Sequence, residues 1–205
     1  MTTQSLALHL TWRISAAEAE NAHQQFIEPE HLFIGLCKLE NFASEARLRE
    51  VRLDASEAPS VKAEIGSLLG VFSQSGLDPT ALRREMRRRP DTVALKKADR
   101  QERAIHRSQR SRQVFARADE CARESGAQAT TVLHLLAALL DDAEAGIASW
   151  LQEKKVDVVA LREAARAAAL AAPAEDGRHP STALARYGKD LTQLAREGKL
   201  HAAIG

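Results

Sequence analysis

The sequence predicts an all-α fold built as two pseudo-symmetric four-helix repeats, and three observations carry that reading. Hydrophobic residues make up 44% of the chain but aromatics only 4%. Ala and Leu supply most of the apolar share, and they favour helices, whereas sheets draw on Val, Ile, Tyr and Thr. Apolar residues also recur at steps of three and four, the period of a helix that buries one face. Finally, the chain resembles itself. His31-Leu32, Gly35 and Leu36 match His134-Leu135, Ala138 and Leu139 at an offset of 103. Beyond them, Leu68, Phe72, Leu77-Asp78 and Leu82-Arg83 match Ile147, Leu151, Val156-Asp157 and Leu161-Arg162 at an offset of 79. The change of offset leaves about 24 extra residues in the first repeat, within a polar stretch near 40–63 that contains Pro59.

The elements follow in order. Trp12, Ile14, Ala16, Ala19, Ala22 and Phe26 in segment 12–39 read as an amphipathic helix. Pro29 suits the start of the next helix, because its missing N–H would be unpaired at that position anyway. The run from Glu30 to Leu39 is apolar on nearly all sides, which marks a buried helix. An added helix over Ala43–Val51 or a loop fills the insertion. In the second repeat the helices read as 111–125, 131–141, 144–154 and 157–171, with Thr130 or Thr131 placed to cap the second. The organisation is therefore repeat one over 1–89, a basic connector over 90–110, repeat two over 111–171, a Pro- and Gly-containing linker over 172–181, and a last helical segment over 182–205.

Composition bounds the class. A chain of 205 residues buries roughly 70% of its unfolded surface when compact, so it needs no covalent staples. No run approaches the ~18 apolar residues of a membrane helix. Met1–Trp12 lacks the basic start and cleavage site of a signal peptide. Cys37 and Cys121 alone make neither a disulfide framework nor a zinc site. The expectation is a soluble cytoplasmic chain with no metal. The net charge of +1 hides an uneven distribution: Arg83 to Arg117 holds thirteen basic residues against Glu85, Asp91, Asp99 and Glu102. Such a cluster binds nucleic acid or an acidic partner by counterion release, or else is a solvated face. Phe115 is its one aromatic, so it offers little for stacking on bases.

The two His-Leu helices, preceded by Glu30 and Leu133, stand in four-helix repeats. They are followed by Tyr187-Gly188-Lys189-Asp190-Leu191-Thr192-Gln193-Leu194-Ala195-Arg196-Glu197-Gly198-Lys199-Leu200. The arrangement resembles the N-terminal region of Clp-type AAA+ unfoldases. In that family the double repeat is the Clp N-domain, and the tail motif stands at the entrance to the first ATPase module. The resemblance implies a domain that docks client polypeptides and adaptors. It further implies that the parent protein is a hexameric ATPase using ATP and magnesium, with a peptidase as a further partner. Where the family has Asp-Pro-Val-Ile-Gly along the adenine of ATP, this chain has His201-Ala202-Ala203-Ile204-Gly205, which places Ala203 and Ile204 at the nucleotide's edge. No G-x-x-x-x-G-K-[ST] loop occurs, so the chain is expected to bind no cofactor and hydrolyse no ATP by itself.

Candidate sites are few. His31 and His134 are equivalent, and neither has a ligand four residues on, so a hydrogen-bonded imidazole at a helix start competes with a ligand or base. Cys37 and Cys121 read as core residues. In a ClpC-like branch of the resembled family, the Glu before this His accepts the guanidinium of phosphoarginine, which assigns that role to Glu30. Leu133 at the equivalent position leaves one such site. The other reading has Glu30 favouring a helix N-terminus. The sequence thus points to a monomeric docking domain of a Clp-type unfoldase. A stand-alone binding protein of the same fold and a basic nucleic-acid-binding protein are the competing readings.

Overall fold

The computed structural model describes residues 3–50, 56–89, 105–141 and 146–171, all within one unit, Met1–Pro173. Most of the connector, the linker and the 182–205 segment lie outside the described residues. Repeat one runs β1 (Thr3–Gln4), α1 (Leu6–Asn21), β2 (Phe26–Ile27), α2 (Pro29–Lys38), a 3-10 turn (Leu39–Phe42), α3 (Glu45–Glu50), α4 (Ala58–Gln74) and α5 (Pro79–Met86). Repeat two runs β3 (His106–Arg107), α6 (Gln109–Glu124), β4 (Ala129–Thr130), α7 (Val132–Asp141), α8 (Ile147–Glu153) and α9 (Val158–Ala171).

The duplication is visible atom by atom. Ser5 and Ser108, 103 apart, cap α1 and α6, their hydroxyls accepting from the N–H of Leu8 and Ser111 at 3.1 Å each. At the second offset, Asp78 and Asp157 cap α5 and α9 by accepting from Thr80 and Ala160 N–H, both at 2.9 Å. The positions that must turn left-handed also correspond: His23 (φ 54) with Gly126 (φ 70), and Gly76 (φ 66) with Lys155 (φ 63). The first helix begins at Leu6 rather than Trp12. The Ser5 cap sets that boundary, and apolar spacing alone did not reveal it.

Short strands lock the two halves together by exchange. β1 pairs in parallel with β4, Thr3 opposite Ala129, and β2 with β3, Phe26 opposite His106. Each strand thus pairs with the other repeat, and the two pairings interchange under the duplication, which is the signature of a pseudo-two-fold contact. Ser5 N–H donates to the Thr130 carbonyl at 2.9 Å, and its counterpart Ser108 N–H to Ile27 at 3.1 Å.

At the centre lie α2 and α7, each buried at every residue but its last. They pack on one another and on their own first helices. Phe33 on α2 meets Trp150 of α8 edge to face, 6.0 Å between ring centres, joining the repeats through aromatic burial. Where α2 crosses α1, Gly35 leaves no room: a Cβ there would sit 2.4 Å from Ser15 Oγ and 3.0 Å from the Thr11 carbonyl. In repeat two the positions of Gly35 and Ser15 hold Ala138 and the smaller Ala118.

Charge also fastens the helices. Buried Glu18 of α1 accepts from Lys38 of α2 at 2.7 Å and from both Nε and Nη2 of Arg87 at 2.8 Å. In repeat two the position of Glu18 is Cys121, and the acid has moved to Asp141, the position of Lys38. Asp141 takes Arg162 at 2.7 Å and Arg166 at 2.8 Å, the counterparts of Arg83 and Arg87. The arginines stay and the carboxylate changes helix.

The insertion of repeat one supplies the 3-10 turn, α3 and the first half of α4, which has 17 residues against 7 in α8. It sends Glu64 across to the other repeat. The Glu64 carboxylate accepts from Val132 N–H at 2.7 Å, at the start of α7, and from Ser5 Oγ at 2.8 Å. The equivalent start of α2 is Pro29, which has no N–H to satisfy.

Candidate functional site

The candidate site lies on the seam between the repeats, where α1 and α6 approach one another. Trp12 and Phe115 are repeat equivalents and meet edge to face, with ring centres 6.2 Å apart. Two copies of one position therefore contact each other across the pseudo-two-fold axis. Arg107 of β3 lays its guanidinium over both rings, 5.4 Å from the centre of Trp12 and 5.0 Å from that of Phe115. Phe26, on the strand paired with β3, is 46% exposed, an unusual position for a large apolar side chain.

Several arginines of the basic cluster are consumed inside the fold. Arg83 pairs with Glu40 at 3.3 Å, and Arg87 with Glu18. Arg89 donates to the Gly146 carbonyl at 3.2 Å, and Arg117 lies against Glu120 and Asp141. Arg107 differs from these: its guanidinium meets no carboxylate or carbonyl among the described residues.

Glu30 lies on α2, with its side chain 7% exposed and Arg110 of α6 at 3.6 Å. Burial pushes its carboxyl above the usual range, the Glu28 charge adds to the rise, and Arg110 and Arg89 oppose it. One of its oxygens, Oε2, has no hydrogen-bond partner. The guanidinium beside Glu30 in this structure is thus the chain's own.

Both repeat histidines stand at helix starts. Glu28 N–H donates to His31 Nδ1 at 2.9 Å, and Thr131 N–H to His134 Nδ1 at 3.1 Å. Each ring therefore accepts at Nδ1 and carries its proton on Nε2. His134 Nε2 reaches Ser125 Oγ at 3.3 Å, whereas His31 Nε2 is buried without a partner, because Ala22 replaces that serine. Burial lowers the pKa of both imidazoles, that of His31 to about 4. Cys37 is buried on α2, its thiol pushed up by burial beyond any reactive range, and Cys121 is buried on α6 with its thiol raised as well. No group of three His, Cys, Asp or Glu among the described residues is placed to hold a metal ion. Ala203 and Ile204 lie outside the described residues.

Two participants were missed at the level of sequence. Arg107 was counted with the basic run, although the equivalence of Trp12 and Phe115 at the repeat offset already marked an axis close to it. For Glu64 no sequence signal existed, since its partner lies 68 residues away.

The fold and seam define a class: an all-helical double repeat whose halves exchange short strands about a pseudo-two-fold axis. Comparison then gives the family. Residues 106–203 match the family model of the Clp repeat (R) N-terminal domain. The chain is 27% identical over 194 residues to chaperone protein ClpB 1 of Synechococcus elongatus, covering 91% of this chain and 18% of that protein. It is 35% identical over 107 residues to chaperone protein ClpB of Rhizobium meliloti, 50% of this chain and 12% of that one. Its fold matches the N-terminal domain of Hsp104 from Candida albicans with a TM-score of 0.56 at 13% identity, covering 80% of this chain and 89% of that one. The second half of the chain thus matches the Clp repeat N-terminal domain, and the fold as a whole is that of such a domain. It spans less than a fifth of the curated relatives it matches. No helix among the described residues is long and apolar enough to cross a membrane.

Proposed function

We propose that this domain docks client polypeptides and adaptors for an ATP-dependent Clp-type unfoldase, along the seam between α1 and α6. The observation that carries the reading is the Trp12–Phe115 pair. Two equivalent aromatics meet between α1 and α6, Phe115 within the core and Trp12 half-buried against it, so that Trp12 carries the apolar contact toward the surface. The module does no covalent chemistry in this reading. Holding a client near the ATPase ring raises its effective concentration there, and the 172–181 linker sets how far that effect reaches. ATP and magnesium belong to modules of the parent hexamer, and a peptidase, where one takes part, engages the parent rather than this domain.

The test is direct binding of a permanently unfolded polypeptide to the 205-residue chain and to Trp12→Ala. Loss of a buried aromatic anchor weakens binding by about 2 kcal/mol or more, read as a Kd some thirtyfold higher with the helical circular dichroism retained. Unchanged affinity places docking elsewhere.

Glu30 is proposed within the same reading as an acceptor for a guanidinium such as that of phosphoarginine. Such a ligand has to displace Arg110 from its side. Titration with free phosphoarginine of the wild type and Glu30→Ala decides the point; equal affinity in both removes the role.

A further inference from the structure

Arg107 is out of keeping with the other half-buried arginines of the described fold. Each of those has a carboxylate or carbonyl within reach, as Arg83 has Glu40, Arg110 has Glu30, and Arg162 and Arg166 share Asp141. Arg107 instead stands over two aromatic rings, 5.4 and 5.0 Å from their centres, with no acceptor for its N–H groups among the described residues. Its repeat counterpart is Gln4, so the duplication does not require a cation there. A guanidinium held on a ring pair has lost most of its rotamer freedom already, and its planar fork fits the two oxygens of a carboxylate. Half-burial makes such a pair worth more than a fully solvated one, which is commonly near neutral in energy.

We propose that Arg107, with Trp12 and Phe115 beneath it, is the specificity subsite of the docking seam. It selects polypeptide segments in which an Asp or Glu stands beside an apolar or aromatic residue. The carboxylate takes the fork of Arg107 and the neighbouring side chain rests on Trp12. The inference rests on the docking reading above and names what that seam accepts. Charge complementarity favours a peptide over nucleic acid. On the helical net, His9 and Ala16 flank Trp12, and Arg112 and Asp119 flank Phe115, His9 and Arg112 being exposed. Asp119 accepts from Thr130 Oγ1 at 2.6 Å. A phosphate backbone needs an unbroken row of cations, and here an acid interrupts it.

The experiment uses two short peptides carrying one neutral dye and the same apolar residues, with Glu beside a Phe in one and Lys in its place in the other. Each is titrated by fluorescence anisotropy against the full chain, Arg107→Gln and Arg107→Glu, with melting curves to establish that the variants fold. The expected result is a preference of about tenfold for the Glu peptide in the wild type, the size of one charge-assisted contact. It falls within about twofold in Arg107→Gln and inverts in Arg107→Glu, a response that simple ring packing by Arg107 does not produce. Equal binding of both peptides by the wild type overturns the subsite and leaves the docking reading standing. Binding of neither overturns both. A preference that survives Arg107→Glu places the reader of acid elsewhere, and duplex DNA binding lost in Arg107→Gln, without any peptide preference, makes the site one for phosphate.

Discussion

His31 and His134 show how one residue position carries a shared task and a local defect. In both repeats the imidazole accepts the backbone N–H three residues before it, closing the start of a buried helix. Only His134 finds an acceptor for its other nitrogen, Ser125. Ala22→Ser restores that acceptor to His31, and because a buried unsatisfied donor costs about 1–3 kcal/mol, a stabilisation of about 1 kcal/mol is expected in urea unfolding. The protonation of His31 has a defined sign. Its pKa in the folded chain is about 4 against an ordinary 6.5. Between those values the unfolded chain takes a proton that the folded chain refuses, so stability is full above pH 6.5 and falls as pH drops toward 4, by on the order of 3 kcal/mol. An NMR titration finding His31 charged at pH 6 contradicts this. Glu18 adds loss at lower pH: burial raises its carboxyl, but bonds and charge from Lys38 and Arg87 together bring it below its ordinary value. Its contribution is present above the ordinary carboxylate pKa and is lost as pH falls through the lowered folded one. Lys155 holds the left-handed conformation that its counterpart Gly76 adopts freely. Lys155→Gly is therefore expected to raise the melting temperature, by relief of about 1 kcal/mol.

At the scale of elements, the apolar period made the helices legible, and the aligned repeats made their kinship legible. The helix starts were less so, because Ser5 and Ser108 lie outside the apolar pattern that defined the segments. The short strands were not legible at all, since two residues carry no alternation to read and their pairing joins positions more than a hundred apart in one case and eighty in the other. Packing constraints give sharper predictions. Gly35→Ala drives a methyl into the α1–α2 crossing and is expected to cost about 1–3 kcal/mol. Gly66 and Gly70 on α4 face open space. Changing each to Ala is expected to stabilise the fold by about 0.5–1 kcal/mol through helix propensity and reduced unfolded-state entropy. The contrast between these substitutions, measured in one denaturation series, separates glycines kept for close approach from those that are not.

For the whole molecule, the duplication explains why a chain with so few aromatics can still define a site. The pseudo-two-fold axis brings Trp12 onto Phe115, so one position, used twice, makes a pair. The repeats and tail point to a docking domain by resemblance, but the proposed place of docking rests on which equivalent residues meet on the axis, which is a property of the assembled halves. The basic run is uneven in the same way: Arg83, Arg87, Arg89, Arg110 and Arg117 serve as internal fasteners, and half-buried Arg107 stands apart from them only once their partners are seen. The insertion of repeat one also has a physical role, since Glu64 closes the start of α7 in the other repeat. The measurement that bears most directly on the account is a backbone NMR perturbation map of the chain on addition of an unfolded client polypeptide. The account predicts shifts concentrated on α1, α6 and β3, centred on Trp12, Arg107 and Phe115. Shifts confined to the faces of α4 and α9, with the seam unperturbed, would contradict it.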